Sequence, residues 1–227
     1  MYAPDPMDES WASAITYWVT NGVKGIGELK VTLSWYSTEV GKVLNLARTL
    51  KLPVLFHMEE EGRSYRPLNA SVMEKIACKV LNRARLYPLG RKSIEFIAKK
   101  SASVCSMLDA RDRRFPAYLG EFSGLEKRLQ EYPDVVFIGH GPLFWKGISS
   151  ELGYTMYPRG PVLKGGILPR LLKEYPNLYA DISGVSGYNA LQRDRKFTQQ
   201  FLSELSSKIL FGTDNVSLGL KNLLKKL

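Results

Sequence analysis

The sequence predicts an α/β fold in which short parallel strands alternate with helices. Three short runs of apolar, β-branched and aromatic residues, LPVLFH, DVVFIGH and KILFGTD, end in His57, His140 and Asp214. Two segments, 125–141 and 168–184, repeat one plan: a leucine-rich helix, Glu-Tyr-Pro-Asp or Glu-Tyr-Pro-Asn, an apolar strand and a glycine-containing loop. Two copies of such a unit indicate a parallel sheet with right-handed crossovers. Five strands in total fit an α/β barrel or a doubly wound sheet.

The N-terminal part of the chain alternates helix and strand twice. Apolar residues at helical spacing predict a helix over residues 7–20, which an Asn-Gly pair ends. Residues 23–30 have the pattern of a strand whose glycines allow close packing, and residues 38–50 repeat the helical pattern. The run VLFH after Pro53 is the second predicted strand.

In the C-terminal half, each Glu-Tyr-Pro sequence marks the passage from a helix to a strand. Proline cannot continue a helix and moves the residue before it out of the helical region, and the Asp or Asn that follows favours a turn. A last helix, predicted over about 194–206, precedes the strand KILF. We expect Asn189, Arg193 and Asp194 to cap and brace a helix.

The middle of the chain is strongly basic. Between Glu60 and Phe115 there are 13 Lys and Arg residues against 6 Asp and Glu residues, which leaves +7 of the formal net charge of +10 in this stretch. Because the basic charge is confined to one segment, it is more typical of a solvated helical surface than of a nucleic-acid-binding protein.

The same stretch interrupts the alternation of strands and helices. A capping-box sequence, Ser-Val-Met-Glu, predicts a helix over about 71–86, and a second helix is predicted over 91–100. No strand pattern occurs from 60 to 120, so this connection would far exceed the usual length of about 2–6 residues. We therefore predict a basic helical insertion at 60–114, between an N-terminal part of the α/β domain, 1–59, and a C-terminal part, 115–227.

Nothing in the sequence indicates export or membrane insertion. The N-terminus MYAPDPMDES is polar and proline-rich, and no apolar run approaches the ~18 residues that a membrane span requires. Cys78 and Cys105 are too few for a disulfide framework, and we expect free thiols. The expected location is cytoplasmic, with no membrane partner.

His57, His140 and Asp214 have the chemistry of a metal site. All three close predicted strands, and ligands at strand ends keep their geometry because strands are rigid. α/β barrels place their active sites at this end of the strands. Two neutral imidazoles and a carboxylate can hold a divalent ion. Such an ion lowers the pKa of a bound water to about 7 and provides a nucleophile at neutral pH.

Five segments of the chain resemble one known family. GVKGIGELK, LPVLFHM, GLEKRLQEYPDVVFIGHGPLFW, YPNLYADISGVSGYNALQRD and KILFGTD together are similar to the amidohydrolase-related family of metal-dependent TIM-barrel enzymes. The resemblance covers roughly residues 1–58 and 115–216. It implies an incomplete (β/α)8 TIM barrel in which strands four to eight are recognisable. The family's first-strand His-x-His motif is absent, because the chain has no third histidine.

The resemblance also implies a role for each candidate residue. His57, on the fifth strand, would bind metal, and His140, on the sixth, would bind a second metal or act on the substrate. Asp214, on the eighth strand, would bind metal and serve as the catalytic base. Glu28, at the end of the fourth strand, would contact the substrate. Apart from the resemblance, we expect Trp145 to form a wall of the substrate pocket.

Some of these positions have alternative interpretations. Glu28 could instead pair only with Lys30, and Trp145 could simply pack in the core or at its rim. Asp181, in YADISG, could line the site or form a turn.

The expected function is hydrolysis of a C–N or C–O bond in a small molecule by metal-activated water, with zinc as the expected ion. Decarboxylation within the same family is an alternative, in which His140 takes part in proton transfer. A third alternative is a non-catalytic remnant whose basic segment binds anions or nucleic acid. Because a barrel without its first three strands exposes strand edges, we also expect a homo-oligomer or poor solubility.

Overall fold

The structure, a computed structural model, describes residues 1–60, 117–152 and 156–214. Along these residues helices and strands alternate in the order α1 (Trp11–Thr20), β1 (Ile26–Leu29), α2 (Thr38–Leu50), β2 (Val54–His57), α3 (Phe122–Glu131), β3 (Phe137–His140), α4 (Pro142–Lys146), α5 (Ile167–Glu174), β4 (Leu178–Asp181), α6 (Gly184–Gln192), α7 (Arg195–Leu205), a 3-10 turn (Ser206–Lys208) and β5 (Ile209–Leu210). The helices predicted over 71–86 and 91–100 lie outside the described residues, as does nearly all of the predicted insertion.

The five strands form one parallel sheet in the order β1-β2-β3-β4-β5. The predicted α/β class with a parallel sheet is therefore confirmed. Each strand pairs with the strand that follows it in the chain, and right-handed crossovers between such neighbours bring the connecting helices to one face of the sheet. At the outer edge of β1, Tyr2 adds a single parallel bridge to Ile26.

The two faces of the sheet differ in burial. In β2, β3 and β4 the side chains on one face are fully buried. The opposite face, called here the site face, carries a row of partly exposed side chains in register: Leu55, Ile138 and Tyr179. Because side chains alternate along a strand, His57, His140 and Asp181 lie on the site face at the carboxyl ends of their strands.

A bulge interrupts the pairing of β1 with β2. Ile26 pairs with Val54 and Leu29 pairs with Phe56, so β1 uses one residue more than β2 over this stretch. Bulges of this kind redirect a side chain and are common beside functional sites. Glu28 lies within the bulge, and its carboxylate turns toward β2.

The local signals that predicted the longer helices act as expected. The Ser37 hydroxyl accepts a hydrogen bond from the backbone N–H of Val40 and begins α2, which Lys51 ends in the left-handed conformation. α3 and α5 both end just before a Tyr-Pro pair. Asp194 caps α7, because its Oδ1 accepts a hydrogen bond from Phe197 N at 3.1 Å.

Two helices, α4 and α6, were not predicted. α4 has five residues, all of them buried, and begins at a proline after Gly141. Gly141 has φ +100°, and a Cβ there would lie 2.6 Å from the Met58 carbonyl oxygen, so only glycine fits this approach.

Among the described residues no helix is both long and apolar enough to cross a membrane.

Candidate metal centre

Glu28, His57 and His140 meet at the carboxyl edge of the sheet. Each offers one ligand atom, and the three atoms lie within 4.8 Å of one another. His57 and His140 are directly paired across β2 and β3, with ring centroids 5.5 Å apart. Two imidazoles and a carboxylate in this arrangement can hold a metal ion. The structure thus brings together two of the three predicted metal ligands with a residue predicted to contact substrate.

His57 is held between two carboxylates. Its Nδ1 lies 2.6 Å from Glu28 Oε1, and its Nε2 lies 2.9 Å from Glu59 Oε2. Burial alone lowers the pKa of His57, but the hydrogen bonds to Glu28 and Glu59 outweigh burial and raise it. For Glu28 the opposite balance holds. Burial raises its pKa, but the hydrogen bond from His57 and the nearby positive charges outweigh burial and lower it.

His140 is oriented by Asp181 at the end of the neighbouring strand. Its Nδ1 lies 3.0 Å from Asp181 Oδ2, while its Nε2 faces Glu28 Oε1 at 3.7 Å. Ser183 steadies Asp181, because its backbone N–H donates to Asp181 Oδ1 at 2.9 Å and its hydroxyl donates to Oδ2. Burial raises the pKa of Asp181, but the hydrogen bonds from His140 and Ser183 outweigh burial and lower it.

Asp214 lies at the margin of this cluster. The prediction that Asp214 closes a strand is wrong, because β5 ends at Leu210 and Asp214 lies four residues beyond it, in the left-handed conformation. Its Oδ2 is 3.9 Å from His140 Nε2. Its side chain is 46% exposed, so solvent reaches it. The close approach depends on Gly184, since a Cβ at that position would lie 2.6 Å from Asp214 Oδ2. Asp214 therefore adjoins His140 without belonging to the compact group of three.

Trp145 lies behind the cluster. It is 1% exposed, and its indole N–H donates to the backbone oxygen of Asp181 at 2.9 Å. In this position it supports the end of β4, and a contact with substrate remains a prediction.

Lys30 and Tyr118 form the rim on the side of β1. The Lys30 ammonium lies 3.8 Å from Glu59 Oε2 and 5.0 Å from the centre of the Tyr118 ring. That ring packs edge-on against His57, with centroids 6.0 Å apart. Glu28 contacts His57 rather than pairing with Lys30 alone, so Glu28 belongs to the cluster.

Four residues of this region were not predicted from the sequence: Glu59, Tyr118, Tyr157 and Ser183. Glu59 stands two residues after His57, and Ser183 stands two residues after Asp181, on the same side of an extended chain. This spacing is a signal for Ser183, whereas for Glu59 it leaves the adjacent Glu60 as an equal candidate. Tyr157 carries no such signal. Burial raises its pKa, and the negative charges of Glu59 and Asp214 raise it further.

The donor set fits a divalent cation. Four carboxylates surround the two imidazoles, and two of them, Glu59 and Asp181, are less than a tenth exposed. Buried negative charge is costly unless a cation or a hydrogen-bond donor compensates it. Lys30, 41% exposed at the rim, compensates Glu59 only in part. One carboxylate oxygen of Glu28 and one ring nitrogen of each imidazole lie within 4.8 Å of one another, so the cluster could hold a metal ion through Glu28, His57 and His140.

Comparison of the chain with family models, curated proteins and solved structures finds no match. The likeness to amidohydrolase-related enzymes consequently rests on the five sequence segments alone, and function has to be inferred from the geometry of the cluster.

Proposed function

We propose that the protein is a metal-dependent hydrolase that cleaves C–N or C–O bonds of a small molecule. The observation that carries this proposal is the convergence of Glu28, His57 and His140 at the carboxyl edge of a parallel sheet. Open and closed α/β sheets bind their ligands at this edge. The resemblance to the amidohydrolase-related family supports the same chemistry.

We further propose that the five strands are strands four to eight of a (β/α)8-type arrangement. The supporting observation is that every strand neighbours its successor in the chain. A doubly wound sheet reverses its strand order at a switch point, where the ligand binds. No reversal occurs among β1 to β5, and the cluster spans β1, β2 and β3 instead.

Each residue has a chemical role in this proposal. Glu28, His57 and His140 hold the ion, for which zinc is the best match to nitrogen and oxygen donors. When bound, zinc provides a nucleophilic water at neutral pH. Asp214 accepts a proton from the attacking water, a role that its solvent exposure and its 3.9 Å distance from His140 support.

Zinc titration followed by calorimetry tests the proposal. Protein made without a polyhistidine tag and treated with chelator should bind about one zinc ion per chain, because the described part of the chain contains one such group of three ligands. His57→Ala and His140→Ala should each weaken zinc binding at least about 100-fold, because each removes a direct ligand. This exceeds the effect typical of removing a residue that only orients a ligand. Asp134→Asn is the matched control, because it removes an exposed carboxylate that pairs with Arg48 before the amino end of β3, opposite the end that carries His140.

The outcomes separate the alternatives. Zinc-dependent release of amine or alcohol from a panel of amides and esters supports hydrolysis. Zinc-dependent release of carbon dioxide from carboxylic acids would replace hydrolysis by decarboxylation. Absence of zinc binding by the unaltered protein would reject both metal-dependent reactions and favour a non-catalytic chain. Binding to nucleic acid that weakens as salt increases would then support an anion-binding role for that chain.

A further inference from the structure

Each imidazole of the cluster contacts a carboxylate that is not one of the three candidate ligands. For His57 this carboxylate is Glu59, and for His140 it is Asp181. A neutral imidazole has one N–H donor and one nitrogen lone pair. When a carboxylate accepts the N–H of one nitrogen, the lone pair is left on the other, so the carboxylate decides which nitrogen can bind a metal.

Glu59 is well placed to orient His57. It is 7% exposed, and its Oε2 lies 2.9 Å from His57 Nε2. Its backbone is fixed by a bridge to Tyr118, in which each residue's N–H donates to the other's carbonyl oxygen at 2.9 Å. In the structure Nδ1 of His57 donates to Glu28, and a metal ion would take the place of that proton. Because its backbone is anchored, Glu59 would then keep the Nε2–H of His57 and leave the lone pair on Nδ1 for the ion.

Asp181 does the same for His140 from the opposite side. Its Oδ2 lies 3.0 Å from His140 Nδ1, and its Oδ1 accepts the Ser183 backbone N–H at 2.9 Å. Its own backbone oxygen accepts the indole N–H of Trp145 at 2.9 Å. Ser183, which donates from both its backbone N–H and its hydroxyl, fixes the carboxylate, and Trp145 fixes the backbone, so Nε2 of His140 is left directed toward Glu28 and Asp214.

We propose that Glu59 and Asp181 are positioning residues of the metal centre, which hold the two imidazoles in place and set their tautomers. This inference rests on the proposed metal site. Outer carboxylates of this kind typically contribute about 10–100-fold in metal affinity, because they prevent rotation of the ring and increase its basicity.

Nitrogen-15 NMR reads the tautomers directly. The chain contains only two histidines, so tag-free protein labelled at histidine gives four ring-nitrogen signals, which His57→Gln and His140→Gln assign. With one equivalent of zinc, we expect the N–H to remain on Nε2 of His57 and on Nδ1 of His140. Zinc-induced shifts that place either N–H on the other nitrogen would overturn the positioning role but leave the metal site intact. Spectra unaffected by zinc would reject both the metal site and the positioning role.

Substitution of the carboxylates gives a second readout. Glu59→Gln and Asp181→Asn should weaken zinc binding about 10–100-fold. Glu59→Leu, which also removes the acceptor oxygen, should in addition produce a mixture of His57 tautomers. Glu174→Gln and Asp134→Asn, which remove exposed carboxylates paired with arginine, should leave zinc affinity unchanged.

Circular dichroism checks that each variant is folded, and the conservative Gln and Asn variants decide the matter if Glu59→Leu fails to fold. Two results together would contradict the positioning role: zinc affinity within about twofold of the unaltered protein in both conservative variants, and unchanged ring-nitrogen shifts. Loss of a carboxylate that orients a metal-binding imidazole should lower the affinity by more than about twofold.

Discussion

At the scale of single residues, the site depends on side chains that approach from different strands. His57 and His140 could be predicted to converge, because both end apolar runs and parallel strands end at the same edge. Glu59 could not be singled out from the sequence, because it is followed by Glu60. In the structure the two acids separate: Glu59 contacts His57, whereas Glu60 pairs with Lys146 at 2.8 Å. Only tertiary packing distinguishes them.

Gly184 allows a prediction at this scale. Gly184→Ala should weaken zinc binding about tenfold, because the new Cβ would lie 2.6 Å from Asp214 Oδ2 and displace that carboxylate from His140. It should also cost about 1 kcal/mol of stability, because φ is +68°. Calorimetric zinc titration and thermal unfolding measure the two effects.

Gly22→Ala is the matched control for Gly184→Ala. Gly22 also has a positive φ, of +94°, but a Cβ there meets no atom within 4 Å. Gly22→Ala should therefore lower stability by a similar amount without changing zinc binding. Equal zinc affinities in the two variants would show that Asp214 does not contribute to the centre.

At the scale of elements, the sequence predicted those with strong periodicity or clear end signals. α2 matches its predicted bounds of 38–50, and the proline-marked junctions led correctly to β3 and β4. α4 and α6 were missed for different reasons. α4 is too short and too apolar to show a helical period, and α6 contains two glycines, which disfavour helix.

The cap of α7 gives a prediction on stability and pH. Asp194 accepts hydrogen bonds from Phe197 N and from Val162 N, at 3.1 and 3.0 Å, and these lower its pKa. Asp194→Ala should therefore destabilise the protein by about 1 kcal/mol at pH 7. Because the folded-state pKa is depressed, the stabilisation is present above the unfolded pKa of about 3.9 and is lost as pH falls through the folded pKa.

Asp194→Asn distinguishes the charge from the hydrogen bond. Asn caps helices about as well as Asp, so this variant should keep most of the stability at pH 7. It should also lose the part of the acid dependence that belongs to Asp194. Urea unfolding between pH 7 and pH 3 measures both. An unchanged acid dependence in Asp194→Asn would contradict the assigned cap.

At the scale of the whole molecule, the sheet has exposed apolar residues beside β5. This strand has two residues and pairs, among the described residues, with β4 alone. Leu210 and Phe211 are exposed, Phe211 to 84%. Unpaired apolar strand edges favour association with another chain. We therefore expect self-association that increases with protein concentration, measured by sedimentation velocity.

Substitutions locate the association surface. Phe211→Lys should reduce self-association, because a charge on an edge strand opposes pairing. Val185→Lys, which changes a residue on α6 that is 61% exposed, should not. A monomer at all concentrations with a single cooperative unfolding transition would contradict the expectation.

The most direct test of the proposed metal centre is a crystal structure of the protein with zinc, using anomalous scattering at the zinc edge. We expect one strong anomalous peak at bonding distance, about 2.0–2.2 Å, from ligand atoms of Glu28, His57 and His140. Loss of the peak in His57→Ala crystals would verify the ligand set. A peak elsewhere on the chain, or none at the carboxyl edge of β1, β2 and β3, would contradict the proposed metal centre.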